Sequence, residues 1–152
     1  MKQLSKILKQ KSITIAVAES CTGGSLSALL TSENGASAYF DSGFITYSNQ
    51  AKMALLGVKS TTLDEFGAVS EQTALEMAQG VIKNASTNIA VSITGIAGPT
   101  GGTKTKPIGT VCFGFYINGE YTTTTQHFTN SNRTGVVEKS VAFVVNFLRQ
   151  KL

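Results

Sequence analysis

The apolar positions of the chain change spacing several times, and each change marks an element. Residues 13–18 (Ile-Thr-Ile-Ala-Val-Ala) and 88–94 are short, mostly apolar runs, the pattern of strands buried on both faces. Residues 3–11 instead place Leu4, Ile7 and Leu8 on one face of a helix. Residues 24–31 predict a helix that stops before the turn cluster Ser32-Glu33-Asn34-Gly35. Residues 39–48 are strand-like around Gly43-Phe44-Ile45-Thr46-Tyr47. A short helix follows, capped by Asn49 and closed by Gly57.

The clearest helix starts at the cap Ser70 and runs to about Asn84, with Leu75, Met77, Ala78, Val81 and Ile82 as its buried stripe. Gly80 inside it costs about 1 kcal/mol relative to Ala, which points to a close packing contact. A Gly-rich loop spans Gly95 to Gly109. Residues 110–117 and 121–128 then predict a hairpin turned by Asn118-Gly119. A final helix covers residues 133–152. No repeat, linker or low-complexity tract interrupts this order. The expectation is one α/β domain over residues 1–152, with helices covering a mixed sheet.

Composition narrows the function classes. At 152 residues the chain can bury a core without staples. The apolar fraction is 41% and the charged fraction 14%, and no run approaches the roughly 20 apolar residues of a membrane span. The N-terminal segment reads as an amphipathic helix and not a signal peptide, so the cytoplasm is the default location. A net charge of +4 without a basic, aromatic-interleaved run argues against nucleic acid. Cys21 and Cys112 fit neither a zinc spacing nor a disulfide framework, and the single His127 cannot build a multi-His metal site.

Chemistry concentrates where the first strand ends. Glu19-Ser20-Cys21-Thr22-Gly23-Gly24 joins a buried strand to a helix and carries three nucleophile-capable side chains. The helix after such a turn offers free N–H groups to an anion. Ser20 has two readings, a helix cap or a nucleophile, and the turn alone favours the cap. Cys21 is the rival nucleophile or a small buried residue. Thr22 either meets a phosphate or ends the turn. Gly95, Gly98, Gly101 and Gly102 suit either a connection or a nest of backbone N–H groups around a phosphate. The loop does not match the P-loop pattern. Arg133 is either a bidentate phosphate contact or a surface charge. Lys104 and Lys106 are read as solvated. His127 lies in a strand of alternating polarity and reads as structural.

Four segments carry a resemblance. Ala18-Glu19-Ser20-Cys21-Thr22-Gly23-Gly24 is the first and Gly43–Lys52 the second. Gly67-Ala68-Val69-Ser70 is the third. The fourth joins Ser92–Pro99, Gly101-Gly102 and Lys106–Val111. In this order they resemble the C-terminal domain of the competence/damage-inducible CinA proteins, a domain that also occurs alone as nicotinamide-nucleotide amidohydrolase. The larger family members add an N-terminal domain resembling molybdopterin-binding proteins, so the length implies the stand-alone form.

The resemblance implies a three-layer α/β/α sandwich. It also implies hydrolysis of nicotinamide mononucleotide to nicotinate mononucleotide and ammonia, in pyridine nucleotide recycling toward NAD. The family's Ser-Tyr-Lys machinery maps onto Ser20, Tyr47 and Lys52. In this scheme a lysine with a depressed pKa activates the serine, and Tyr47 relays a proton or orients the amine. Glu19 either orients Lys52, binds ribose hydroxyls or makes a local salt bridge. Substrate contacts fall to Glu19, Cys21, Thr22, Gly23, the four loop glycines and Arg133. No metal or organic cofactor is expected. A homodimer or other homo-oligomer is plausible for the family, with neither a nucleic-acid nor a membrane partner. The rival classes are a non-catalytic nucleotide-binding or interaction domain, and an amidase for another small amide.

Overall fold

A computed structural model of the chain describes residues 1–152. Its elements run α1 (Lys2–Gln10), β1 (Ile15–Glu19), α2 (Ser25–Leu30), a 3₁₀ turn (Ala36–Ala38), β2 (Phe40–Ile45), α3 (Asn49–Leu56), α4 (Ser60–Phe66), α5 (Glu71–Ala85), β3 (Ile89–Gly95), β4 (Thr110–Ile117), β5 (Glu120–His127) and α6 (Arg133–Lys151). The five strands form one sheet in the order β2-β1-β3-β4-β5. β1 pairs in parallel with β2 and β3, while β4 and β5 extend the sheet antiparallel.

The two buried runs sit at the centre because each has an apolar face on both sides. Ile15 and Val17 of β1, with Ile89, Val91 and Ile93 of β3, face a core closed by α1, α2 and α6. Ala16, Ala18 and Ala90, on the opposite face, meet Leu56, Leu63, Met77 and Val81 from α3, α4 and α5. The residues facing α5 are small, and this brings that helix close. The result is the three-layer α/β/α sandwich with a mixed sheet. Alternation by residue number, two per strand repeat, assigns each side chain to its layer.

Local chemistry explains most boundaries. Ser70 Oγ accepts the Thr73 N–H at 3.1 Å and caps α5 as expected. Asn118 and Gly119 take positive φ in the β4–β5 turn, the backbone a two-residue hairpin needs. The cap of α3 is Ser48 and not Asn49: Ser48 Oγ accepts the Ala51 N–H at 3.0 Å. The chain also forms α4, which no sequence signal announced. Its preceding residue Lys59 makes no side-chain cap bond, and only Leu63 and Phe66 are apolar.

Gly80 shows what the close approach of α5 requires. A Cβ there would stand 2.1 Å from Leu56 O and 2.7 Å from Leu56 Cα, so α3 crosses α5 backbone to backbone. Gly80→Ala therefore sets a helix-propensity gain of about 1 kcal/mol against overpacking of about 1–3 kcal/mol. Because the obstacle is backbone, overpacking wins. A lower urea midpoint in the variant is the expected result, and an unchanged or raised midpoint would refute the crossing.

Candidate active site

The turn after β1 is held on both sides by the sheet. Ser20 N–H donates to Ile93 O at 2.9 Å, and Thr46 N–H donates to Glu19 O at 2.8 Å. The chain then reverses through Gly23 and Gly24 at φ +56° and +104°, values that favour glycine. Ser20 is buried, with 8% of its surface exposed.

Glu19 is wholly buried, and α2 engages its carboxylate completely. Oε2 accepts the N–H groups of Gly24 and Leu26 at 3.0 and 3.1 Å. Oε1 accepts Ser27 N–H and Ser27 Oγ–H at 2.8 and 2.7 Å. This corrects three readings of Glu19: it does not orient Lys52, it has no oxygen left for a ribose, and it makes no salt bridge. It also corrects the expectation that α2 offers free N–H groups to a substrate anion. The chain supplies that anion itself.

Lys52 reaches Ser20 from the first turns of α3. The side chain is 1% exposed, and Nζ lies 3.1 Å from Ser20 Oγ. It donates to Thr46 O at 3.0 Å, with Tyr47 O at 3.5 Å. No carboxylate pairs with it. Burial pushes the Lys52 amine below the ordinary lysine range, and the nearby Cys21 opposes this in part. A neutral amine here has N–H donors for the carbonyls and a lone pair for the Ser20 hydroxyl proton. That is the donor and acceptor pattern of a general base.

Cys21 lies beside them, but burial pushes its thiol up to about 12, against the smaller lowering by its own N–H, Lys52 and Arg133. Since the thiolate is the reactive form, burial disfavours Cys21 as a nucleophile. The N–H groups of Cys21 and Thr22 make no hydrogen bond to another residue. The first belongs to the residue after Ser20, the position that supplies an oxyanion donor in hydrolase turns.

Tyr47 behaves differently from its expected role. Its phenol oxygen accepts from Arg133 Nη2 at 2.8 Å, and only its backbone carbonyl approaches Lys52. The side chain is 60% exposed and stands at the cleft edge. Arg133, at the start of α6, also donates from Nη1 to Gly98 O at 3.0 Å.

Ser20, Cys21, Tyr47, Lys52, Gly95, Gly98, Gly101 and Arg133 thus line one cleft of about 290 Å³. That is near the lower end of small-molecule sites. Thr22, Gly23 and Gly102 do not line it. Thr22 Oγ1 is buried without a partner. Gly102 instead makes room for the chain itself, since a Cβ there would stand 2.9 Å from Ile108 N. Ala97, Gly98, Thr100 and Gly101 line the cleft and have N–H groups without internal acceptors.

Sequence reasoning missed Asn49, Val69, Thr94 and Thr100 as cleft residues. Asn49 and Thr94 stand one helix start and one strand end from the predicted residues, which was the available signal. Thr94 Oγ1 donates to Ala68 O at 2.7 Å and ties the loop before α5 to the floor. His127 lies outside the cleft, with Nδ1 3.2 Å from Thr110 Oγ1. Lys106 is not free in solvent, because its Nζ donates to Phe66 O at 2.5 Å. A larger groove of about 560 Å³ between α2 and α6 is lined by Ser25 and Thr134 but by no lysine or histidine that could activate a hydroxyl, so the smaller cleft is the candidate site. No three His, Cys, Asp or Glu side chains gather where they could hold a metal ion. No helix is long and apolar enough to cross a membrane.

Two outcomes follow from these burials. Lys52 has a lowered pKa in the fold, so between that value and the ordinary lysine value the unfolded chain holds a proton the native state has lost. Stability rises with pH across that window, and the cost of the buried ammonium is fully present below it. Lys52→Met should raise the thermal midpoint at neutral pH and flatten its rise with pH. A midpoint below wild type would refute the desolvation argument. Burial also raises the Cys112 thiol. Iodoacetamide at neutral pH should therefore label neither cysteine until denaturant is added, and rapid labelling of Cys21 in the folded protein would return it as a nucleophile.

Comparison with known proteins agrees with the fold. The model of the CinA C-terminal domain matches residues 1–152. A putative competence-damage inducible protein of Clostridioides difficile is 51% identical over 98% of the chain, which covers 35% of that protein. A CinA-like protein of Kosmotoga olearia is 47% identical over 96% of the chain, again 35% of the relative. The chain therefore spans about a third of the length of these curated relatives. Among solved structures, a competence-damaged protein (CinA) superfamily protein from Escherichia coli superposes with a TM-score of 0.94 at 37% identity, covering 99% of this chain and 87% of that one. A competence/damage inducible protein from Agrobacterium tumefaciens gives 0.91 at 39%, covering 97% and 92%. The chain belongs to the CinA C-terminal domain family.

Proposed function

We propose that this domain hydrolyses the carboxamide of nicotinamide mononucleotide, giving nicotinate mononucleotide and ammonia. The observation that carries the reading is the 3.1 Å approach of Ser20 Oγ to the buried, unpaired Lys52 amine. An amide requires a strong nucleophile and a proton for its leaving nitrogen. Lys52 takes the Ser20 hydroxyl proton as Oγ attacks the amide carbon. The Cys21 N–H meets the developing oxyanion. Lys52 then returns the proton to the departing nitrogen, and ammonia leaves an acyl-serine. Water attacks that ester with Lys52 again as base, which restores Ser20.

The phosphate of the nucleotide meets Arg133 and the N–H groups of Ala97, Gly98, Thr100 and Gly101. Arg133 is the cleft's one charged side chain besides Lys52, and its fork suits two phosphate oxygens. The motif resemblance supplies the pyridine nucleotide, and the serine–lysine pair supplies the reaction. Nothing in the sequence of steps calls for a metal.

Ammonia release across a panel of pyridine nucleotides and simple amides tests this reading. Turnover of nicotinamide mononucleotide should survive chelators. It should fall by about 10³-fold or more in Ser20→Ala, the scale seen when a serine nucleophile is removed. The rate should climb with pH through the lowered Lys52 value, because the base acts deprotonated. Replacement of His127 should leave turnover largely intact. Binding without turnover would return the domain to a nucleotide-binding role. Turnover of other amides alone would change the substrate. Full activity in Ser20→Ala would remove the nucleophile.

A further inference from the structure

The Tyr47 phenol is turned away from the proton chemistry it was expected to serve. Its oxygen accepts from Arg133 Nη2 at 2.8 Å, while Gly98 O accepts from Nη1 at 3.0 Å. These two anchors come from different connections, one after β2 and one after β3. The guanidinium bridges them at the cleft, 86 residues in sequence from Tyr47. Lys52 meanwhile finds its partners in Ser20 Oγ and Thr46 O and makes no bond to the phenol.

We propose that Tyr47 is a positioning residue for the substrate anion: with Gly98 O it holds the Arg133 guanidinium across the cleft, preset for a phosphate. This rests on the reading of the substrate as a phosphate-bearing nucleotide. A guanidinium has five N–H donors. The two anchors use two, and three are left for phosphate oxygens. A free arginine side chain loses about 2 kcal/mol of rotamer freedom when fixed, and anchoring it beforehand removes part of that cost from binding. The 60% exposure of Tyr47 fits a group at the ligand entrance, not one sealed beside the base.

A proton relay and an arginine holder affect different constants. Tyr47→Phe keeps the ring and removes only the hydroxyl. Kinetics with nicotinamide mononucleotide and with nicotinamide riboside, the same molecule without phosphate, separate the two roles. The preference for the phosphorylated substrate should fall about tenfold, the effect of one hydrogen bond to a charged group. The loss should sit in KM, with the acid limb of the pH profile unmoved. Adding Tyr47→Phe to Arg133→Ala should cost nothing more. An equal fall in kcat on both substrates, or a shifted acid limb, would overturn the proposal in favour of proton transfer. If the wild-type protein releases no ammonia from the nucleotide, the reaction reading fails by itself, and the comparison is read as affinity for inorganic phosphate by calorimetry. Weaker binding in both Tyr47→Phe and Arg133→Ala then upholds the anion role, and unchanged binding in Tyr47→Phe overturns it.

Discussion

The site depends first on how one buried carboxylate is satisfied. Glu19 ends β1 inside the protein, where an ionised group without partners would cost several kcal/mol. Four donors from the first turn of α2 and the glycine before it surround its two oxygens. The bonds clamp the start of α2 onto the end of β1, and the turn from Ser20 to Gly23 is the short span between two fixed points. The position of Ser20 and of the Cys21 N–H follows from that clamp. So does the location of anion binding. The start of α2 is already engaged by Glu19, so the proposed substrate's charge falls to Arg133 and the loop after β3.

Lys52 is the second buried charge, and the fold treats it in the opposite way. Glu19 receives four hydrogen bonds on its two oxygens. Lys52 receives carbonyl and hydroxyl oxygens but no counter-ion, so burial works against its proton. A carboxylate placed next to it would stabilise the ammonium and the fold together, and would remove the base. Desolvation without compensation is a local instability, and in the proposed mechanism it is what lets Lys52 transfer a proton. The apolar wall that produces it includes Cys21, whose own thiol the same burial silences.

Much of the fold was legible because it rests on periodicity and turn chemistry. The runs at Ile15 and Ile89 show both faces buried, Asn118-Gly119 dictates a hairpin, and Ser70 announces α5. α4 was invisible because Ser60–Phe66 lacks both a capping side chain and an apolar stripe. The candidate site divides along the same line. Ser20 and Lys52 belong to motifs, and the structure brings them together. The partners of Glu19 and Tyr47 could not be read. Glu19 is bound by amides, which carry no residue signature, and the Tyr47–Arg133 bond joins segments that only the folded sheet brings together.

Sheet topology explains why these segments meet at all. β1 lies between β2 and β3, so the chain leaves its C-terminal end in one direction and returns on the other side. A crevice opens at that reversal, at the carboxyl ends of parallel strands. Ser20 extends the β1 ladder by one bond to Ile93 O, and Thr46 N–H extends it on the other side to Glu19 O. Ser20 is therefore registered to the sheet, and so is Thr46, whose carbonyl holds the Lys52 amine. The anion grip has another origin, in the Gly98 loop, the exposed Tyr47 ring and the first residue of α6. Reaction and recognition are held by separate parts of the fold, one rigid with the ladder and one assembled across loops. The recognition half can therefore change without disturbing the distance between Ser20 and Lys52 on which the proposed chemistry depends.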